Sequence, residues 1–169
     1  LRLENNRLTA YPIEPRGALG EFNPANGKYT LYACTQNPHG VRQEISQVLH
    51  IPETKLRVIA EDVGGGFGMK ADAYPEDALV LWASKHCGRP VKWIPSRSEA
   101  IMGDTHGRDQ VVHGEMAFDA AGKLLAIRAS ALHAIGAYTS GTLAPIEMSM
   151  RLIPSVYDVQ TFWVESRGV

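Results

Sequence analysis

The chain has 169 residues, and its 17 basic and 18 acidic side chains leave a formal net charge of −1 and a pI near 6.7. This balance argues against a protein that binds nucleic acid or a membrane surface through positive charge. With 44% hydrophobic and 21% charged residues, the composition is typical of a chain that folds around an apolar core. The length suits one domain, so we expect residues 1–169 to form a single domain.

The two cysteines, Cys34 and Cys87, are too few for a disulfide scaffold and lack the CxxC spacing of zinc sites. We therefore expect a reducing compartment, the cytoplasm. The longest apolar run, residues 78–83, is far shorter than the roughly 20 residues that a membrane-spanning helix needs, so we expect no membrane span. Because the chain starts at Leu1 rather than at a methionine, we expect it to be part of a longer polypeptide.

Strands and helices alternate in the predicted first half of the chain. Residues 28–34 are rich in β-forming residues and predict a strand, and Asn37 followed by Pro38 predicts the start of a helix. Residues 56–63 predict a second strand. Residues 75–88 predict a second helix, with proline first and glycine as its C-cap. The apolar residues predicted to share one face of the first helix are Val41, Ile45, Val48 and Leu49.

Shorter elements are predicted in the second half. Residues 91–94 predict a strand, and Ser96 with Glu99 forms the capping-box pattern of a short helix. The remaining predicted elements are a hairpin of residues 110–118 and 124–133, a helix of residues 144–151 and a strand of residues 158–165. This mixture favours an α+β fold in which a mixed sheet contains hairpins and the helices pack on one face of the sheet.

A glycine-rich segment, Gly64 to Lys70 (GGGFGMK), follows the second predicted strand. Glycine permits positive φ and close approach of the backbone to a ligand, and successive free N–H groups in such a turn form an anion-binding nest. A tight or flexible turn with no ligand would have the same composition. A Walker A loop is excluded by the spacing, because Met69 precedes the lysine and Ala71 follows it.

A dinucleotide-binding fingerprint is a second interpretation of this segment. Gly66-x-Gly68-x-x-Ala71 matches the pattern G-x-G-x-x-A after a strand, and Arg97 follows the next strand, where an arginine for NADP is expected. The late start of the following helix, at Pro75, weakens the match, since a helix N-terminus must adjoin the loop to meet the pyrophosphate. A Rossmann-like, NADP-binding domain is kept as the alternative.

Six short motifs lie along the chain in an order and spacing that favour one family. They are EPRGA (14–18), TQNPH (35–39) with its glutamine Gln36, GGGFGMK (64–70), GRPVKW (88–93), THGRD (105–109) and GAYT (136–139). Together they resemble the large subunit of the molybdenum hydroxylases, the family of xanthine dehydrogenase, aldehyde oxidase and CO dehydrogenase. The resemblance covers most of the chain. It implies that residues 1–169 belong to the molybdopterin-binding region of a longer large subunit and have the corresponding fold.

The resemblance implies roles for particular residues. In the family, the glutamine that matches Gln36 donates its side-chain amide to an oxo ligand of molybdenum, so no residue here is expected to bind the metal directly. Backbone amides of the glycine-rich segment contact the cofactor, and its phenylalanine lines the pocket. The cofactor-binding residues implied in this segment are Gly65, Gly66, Phe67 and Gly68. An anionic metal centre and a phosphorylated pterin need preorganised donors of this kind.

The resemblance also implies an activity. The complete enzyme would hydroxylate an aldehyde, an N-heterocycle or a similar small substrate with water as oxygen donor. Electrons would pass through 2Fe–2S centres to FAD, so the partners would be the rest of the large subunit and the iron–sulfur and flavin domains or subunits. Ala71 stands where xanthine oxidoreductases have a glutamate that holds the purine, so a purine is not favoured. The family's general base and substrate-facing arginine match no residue here, so no catalytic residue is assigned and the isolated chain is expected to be inactive.

Other polar and aromatic residues have simpler expected roles. The six histidines show no metal-ligand spacing, and His106 and Arg108 are expected in a surface loop. Lys70 is expected either to approach a phosphate or to be solvated, and Tyr138 to pack. The tryptophans expected in the core are Trp82, Trp93 and Trp163. A noncatalytic module that binds a partner is a further alternative, against which the intact Gln36 and glycine-rich segment argue.

Overall fold

The computed structural model describes residues 1–137 and 143–169, with backbone alone at residues 143–145. Its contacts divide the chain into two compact units: a central unit, Thr9–Thr105, and a terminal unit of Leu1–Leu8 with His106–Val169. The helices and strands, in chain order, are β1 (Arg2–Asn5), β2 (Leu8–Thr9), β3 (Ala18–Asn23), β4 (Lys28–Ala33), α1 (Pro38–Val48), β5 (Leu56–Ile59), α2 (Pro75–Cys87), β6 (Val91–Trp93), α3 (Arg97–Gly103), β7 (His106–Gly107), β8 (Gln110–Phe118), β9 (Leu124–His133), α4 (Leu143–Leu152) and β10 (Thr161–Gly168).

The central unit contains a mixed sheet with strand order β5-β4-β3-β6, in which β4 and β5 are parallel and the other neighbours antiparallel. α1 begins where predicted, because the Asn37 side chain accepts a hydrogen bond from the Gly40 N–H (3.0 Å). α2 starts at Pro75 and ends at a left-handed Gly88, also as predicted. Both helices contribute to one core against the sheet, formed by Ala18, Tyr29, Leu31, Val41, Ile45, Leu56, Ala78, Val80 and Leu81.

Two apolar residues on the helices of the central unit lie on its surface. Val48 is 62% exposed at the end of α1, and Trp82 is 53% exposed on α2. Trp82 lies against the ring of His86, with 4.1 Å between the ring centroids. The predicted core position of Trp82 is wrong. The apolar face predicted for α1 is buried at Val41 and Ile45 but not at Val48, because the sheet covers only part of each helix surface.

The terminal unit contains a second mixed sheet, with strand order β1-β8-β9-β10 and a parallel pair β9 and β10. β8 and β9 form the predicted hairpin, and α4 lies within a residue of its predicted bounds. Trp163 is 46% exposed with the Arg128 guanidinium over its ring, so its predicted core position is wrong, whereas Trp93 packs against the central core as predicted. The α+β class with mixed sheets is confirmed. Within the described ranges, no helix has the length and apolar character that crossing a bilayer requires.

Candidate cofactor site

The glycine loop, residues 64–70, lies between β5 and α2 and has an irregular backbone. Gly65 and Gly68 have φ values of 96° and 85°, a conformation that would strain a residue with a Cβ atom. Phe67 between them also has a positive φ, 54°, and its side chain is 76% exposed. A bulky residue with positive φ costs free energy, so the surrounding loop holds Phe67 against its own backbone preference.

Gln36 lies immediately before the Asn37 N-cap of α1, and its side chain contacts the glycine loop. Its Oε1 accepts hydrogen bonds from the Gly68 N–H (2.9 Å) and the Lys70 N–H (3.3 Å). Because two N–H donors face the same carboxamide atom, that atom is the oxygen, and this fixes the orientation of the amide. The Nε2 group remains as a donor, and no protein acceptor for it lies among the described residues.

Gly66 allows Gln36 to take this position. A Cβ atom on Gly66 would lie 2.3 Å from Cδ of Gln36, which is closer than non-bonded atoms approach in proteins. The N–H groups of Gly66 and Phe67 have no acceptor in the part of the chain that the structure describes. The Gly68 N–H, in contrast, is used to hold Gln36. The donors left for a ligand are therefore the Gln36 carboxamide and the N–H groups of Gly66 and Phe67.

Lys70, at the end of the loop, has no accessible side-chain surface and forms an ion pair with Glu14. Its Nζ lies 2.8 Å from Glu14 Oε2 and 3.0 Å from the Glu14 carbonyl oxygen. The hydrogen bond from Lys70, together with one from the Gly64 N–H, lowers the pKa of Glu14 below its ordinary value. Both predicted roles of Lys70 are wrong, because an ammonium enclosed in this way neither reaches a phosphate nor is solvated, and it needs a charge partner.

The sequence alone did not reveal the roles of two groups beside the loop, Glu14 and Arg16. The Arg16 guanidinium is buried, donates to Asp104 (2.6 Å) and lies 3.5 Å from the centre of the Tyr74 ring. The Tyr74 O–H in turn donates to the Met69 carbonyl of the loop (2.8 Å). Lys70, the partner of Glu14, lies 56 positions away in the sequence, and Asp104, the partner of Arg16, lies 88 positions away. No local sequence pattern therefore indicates either pair. The motif EPRGA was the one available signal.

Asp77 makes the stability of this region depend on pH. Its carboxylate accepts a hydrogen bond from the Tyr74 N–H (3.0 Å) at the start of α2, and burial raises its pKa from 3.8 to about 6. Between about pH 4 and about pH 6 the folded protein therefore binds more protons at Asp77 than the unfolded chain does. The contribution of Asp77 to the free energy of unfolding falls as the pH rises through this range, by about 3 kcal/mol in total.

We expect Asp77→Asn to raise the free energy of unfolding at pH 7 by about 1–3 kcal/mol and to remove this part of the pH dependence. The asparagine keeps an oxygen that accepts the Tyr74 N–H but has no charge to desolvate. Urea unfolding of the wild type and the variant at acid and at neutral pH measures both effects. A variant that is less stable than the wild type at neutral pH would contradict this account of Asp77.

The structure does not support the NADP-binding alternative. α2 begins at Pro75, beyond the end of the glycine loop, so its N-terminal amides do not adjoin the loop as that fold requires. The neighbouring strands β3 and β4 are antiparallel, unlike the parallel sheet of a Rossmann domain. Arg97 donates to the carbonyl oxygens of Pro12 (2.8 Å) and Ile13 (2.6 Å), so its guanidinium is already bound by the chain itself.

Two of the other histidine candidates, His106 and His133, lie in the terminal unit. His106 accepts a hydrogen bond from Arg7 Nε (3.0 Å), and His133 is buried in the terminal unit. Among the residues described, no three histidine, cysteine, aspartate or glutamate side chains lie where they could hold a metal ion together. Tyr138 and Thr139, the end of the motif GAYT, lie outside the described residues.

The unused donors of Gln36, Gly66 and Phe67 fit a cofactor that presents anionic oxygen atoms. Preorganised amide N–H groups stabilise negative charge without a counter-charge of their own. Glu14, one of the carboxylates beside the loop, is paired with Lys70 and therefore does not oppose an anion. The exposed ring of Phe67 adds an apolar surface next to these donors. Molybdopterin, with its phosphate and its metal ligands, is a group of this chemistry.

Comparisons with known proteins agree with the geometry. Residues 1–169 match the family model described as the molybdopterin cofactor-binding domain. The nicotine 6-hydroxylase large subunit of Paenarthrobacter nicotinovorans and the carbon monoxide dehydrogenase large chain of Hydrogenophaga pseudoflava are each 39% identical to the chain over 132 residues. The aligned part is 78% of this chain but only 16% of each relative. The crystal structure of quinoline 2-oxidoreductase from Pseudomonas putida 86 matches 99% of the chain with a TM-score of 0.93 at 36% identity, over 22% of its own length.

The fold and the family match thus define a molybdopterin-binding domain. The chain belongs to the molybdopterin cofactor-binding domain family of the molybdenum hydroxylases, as the motifs predicted.

Proposed function

We propose that the complete protein is a molybdenum hydroxylase in which this chain holds one side of the molybdopterin through Gln36 and the glycine loop. The observation that supports the proposal is the set of unused donors. The Gln36 carboxamide is held by its oxygen, and the N–H groups of Gly66 and Phe67 lie beside it without protein acceptors among the described residues. Gly65, with its positive φ, shapes the turn that presents them.

Each of these groups has a separate task in the proposal. When bound, the molybdenum centre supplies the redox chemistry that hydroxylates the substrate with water as oxygen donor. The Gln36 amide donates to a ligand of the metal and so orients the centre, and the N–H groups of Gly66 and Phe67 bind anionic oxygens of the cofactor. The Phe67 ring forms an apolar wall beside them. The general base and the substrate-facing arginine belong to the remainder of the large subunit, as the resemblance implies.

The proposal includes a substrate class and partners. The substrate is an aldehyde, an N-heterocycle or a similar small molecule rather than a purine, since Ala71 presents no carboxylate to hold a purine. The partners are the remainder of the large subunit and the iron–sulfur and flavin domains or subunits that carry the electrons away, in the cytoplasm. Residues 1–169 are then one domain within the molybdopterin-binding region of that subunit.

The complete protein, expressed in a host that makes the cofactor, tests this proposal. We expect the purified protein to contain molybdenum and to oxidise an aldehyde or an N-heterocycle faster than xanthine. With water labelled by a heavy oxygen isotope, the label should appear in the product. A complete protein without molybdenum would contradict the proposal, and a product whose oxygen comes from dioxygen would contradict the reaction type.

A further inference from the structure

One carboxylate oxygen connects the two ends of the glycine loop. Glu14 Oε2 accepts a hydrogen bond from the Gly64 N–H at the start of the loop (2.7 Å) and another from Lys70 Nζ at its end (2.8 Å). The Glu14 backbone contacts the same two residues: its N–H donates to the Gly64 carbonyl (3.4 Å), and its carbonyl accepts from Lys70 Nζ (3.0 Å). The free donors of Gly66 and Phe67 therefore lie on a segment that Glu14 holds at both ends.

Lys70 also connects this ion pair to Gln36 through its main chain. The Lys70 carbonyl accepts hydrogen bonds from the Gln36 N–H (2.9 Å) and from Thr35 Oγ1 (3.0 Å). The Lys70 N–H donates to Gln36 Oε1 (3.3 Å). A displacement of Lys70 therefore moves both the backbone and the side chain of Gln36, and a single residue links Glu14 to Gln36.

Stability alone is a weak reason for burying a charge at this position. Removing an ammonium from water is costly, and an apolar side chain of similar volume is often at least as stable in such a place. The Lys70 side chain has no accessible surface, whereas that of Glu14 is 35% exposed. An apolar residue would fill the same space but would not provide a directed donor that ties the end of the loop to its start.

We propose that Glu14 and Lys70 are positioning residues for the molybdenum centre. The pair holds the glycine loop so that the Gln36 carboxamide and the N–H groups of Gly66 and Phe67 meet the cofactor in one fixed geometry. Neither Glu14 nor Lys70 touches the cofactor; both act through the loop. This inference rests on the proposed function, because the positioned donors have a role in turnover only when the cofactor is bound.

Lys70→Met in the complete holoenzyme tests the inference, since methionine keeps much of the side-chain volume and removes the donor. We expect the variant to retain its molybdenum and to lose about 10- to 100-fold in kcat per bound metal, the cost of a small misplacement. The electron paramagnetic resonance spectrum of the partly reduced molybdenum should change as it does in Gln36→Ala. Lys70→Met added to Gln36→Ala should lower kcat by less than the product of the two single losses, because both variants act on the Gln36 donor.

Ser84→Ala is the matched control. The Ser84 hydroxyl is buried in the central unit and accepts the Phe22 N–H (3.0 Å), so the variant weakens packing without a contact to the loop. Its kcat per bound molybdenum and its spectrum should equal those of the wild type. A loaded Lys70→Met enzyme with unchanged kcat and spectrum would overturn the inference, as would losses that multiply in the double variant.

Two further measurements keep the test decisive. If Lys70→Met does not fold, Glu14→Gln replaces it, since glutamine keeps a neutral oxygen between the two donors. An altered spectrum supports the inference and an unchanged one overturns it.

Hydrogen exchange of the metal-free complete subunit does not depend on the proposed function. Faster exchange of residues 64–70 in the variant supports the role of the pair in holding the loop, and equal exchange overturns it. Absence of molybdenum from the wild type would instead contradict the proposed function.

Discussion

Gln36→Ala in the complete enzyme is expected to lower kcat about 100- to 1000-fold while most of the molybdenum stays bound. A single preorganised donor to a centre that develops charge is worth about this much in turnover. In the proposed function the cofactor is held by several contacts, among them the N–H groups of Gly66 and Phe67, so the loss of one side chain should cost less in binding. Metal content and steady-state kinetics of the same preparation measure both quantities. Equal fractional losses of molybdenum and of kcat would contradict this division of tasks.

Gln36→Glu separates the donor from the acceptor of the same side chain. Glutamate keeps an oxygen for the N–H groups of Gly68 and Lys70, which lie 2.9 and 3.3 Å from Oε1, but it has no Nε2 donor. We therefore expect the loop to keep its position and kcat to fall at least as far as in Gln36→Ala, since a negative charge would face an anionic cofactor. A Gln36→Glu enzyme with nearly wild-type kcat would show that Nε2 is not the active group.

Gly66→Ala is expected to lower kcat as far as Gln36→Ala does, by displacing Gln36 rather than removing it. The added Cβ would lie 2.3 Å from Cδ and 2.4 Å from Cγ of Gln36, so the glutamine or the loop must move. Because a moving loop also carries the Phe67 N–H, we expect bound molybdenum to fall as well. Metal analysis and kinetics of the complete enzyme measure the two losses together.

The matched control for Gly66→Ala is Gly103→Ala at the end of α3, where no atom lies within 4 Å of the added Cβ. This variant should keep wild-type kinetics and metal content. A Gly66→Ala enzyme that also kept both would show that Gln36 does not lie over Gly66 in the working enzyme.

Most elements of the fold could be predicted because their causes are local. The Asn37 side chain caps α1 within one turn, and Gly88 ends α2 in a left-handed conformation that other residues rarely adopt. The hairpin of β8 and β9 follows from two extended runs around one short turn. Such features depend on residues that are near one another in the sequence, so the pattern itself contains the information.

Burial could not be predicted in the same way. Val48, Trp82 and Trp163 are apolar and lie on elements that were predicted, yet each is about half exposed or more. Hydrophobic periodicity indicates which face of an element prefers the interior but not how much of that face the neighbouring sheet covers. The extent of cover is set by the packing of whole elements.

The sequence by itself determined the family and the two segments of the candidate site, because Gln36 and the glycine loop are defined by residue types at a fixed spacing. Only the tertiary structure decided that the Gly68 N–H is used by Gln36, and that Lys70 is enclosed and paired with Glu14. These contacts join residues 32 and 56 positions apart. The role of a charged or hydrogen-bonding group depends on its partner and on its access to water, and both are set when distant segments pack together.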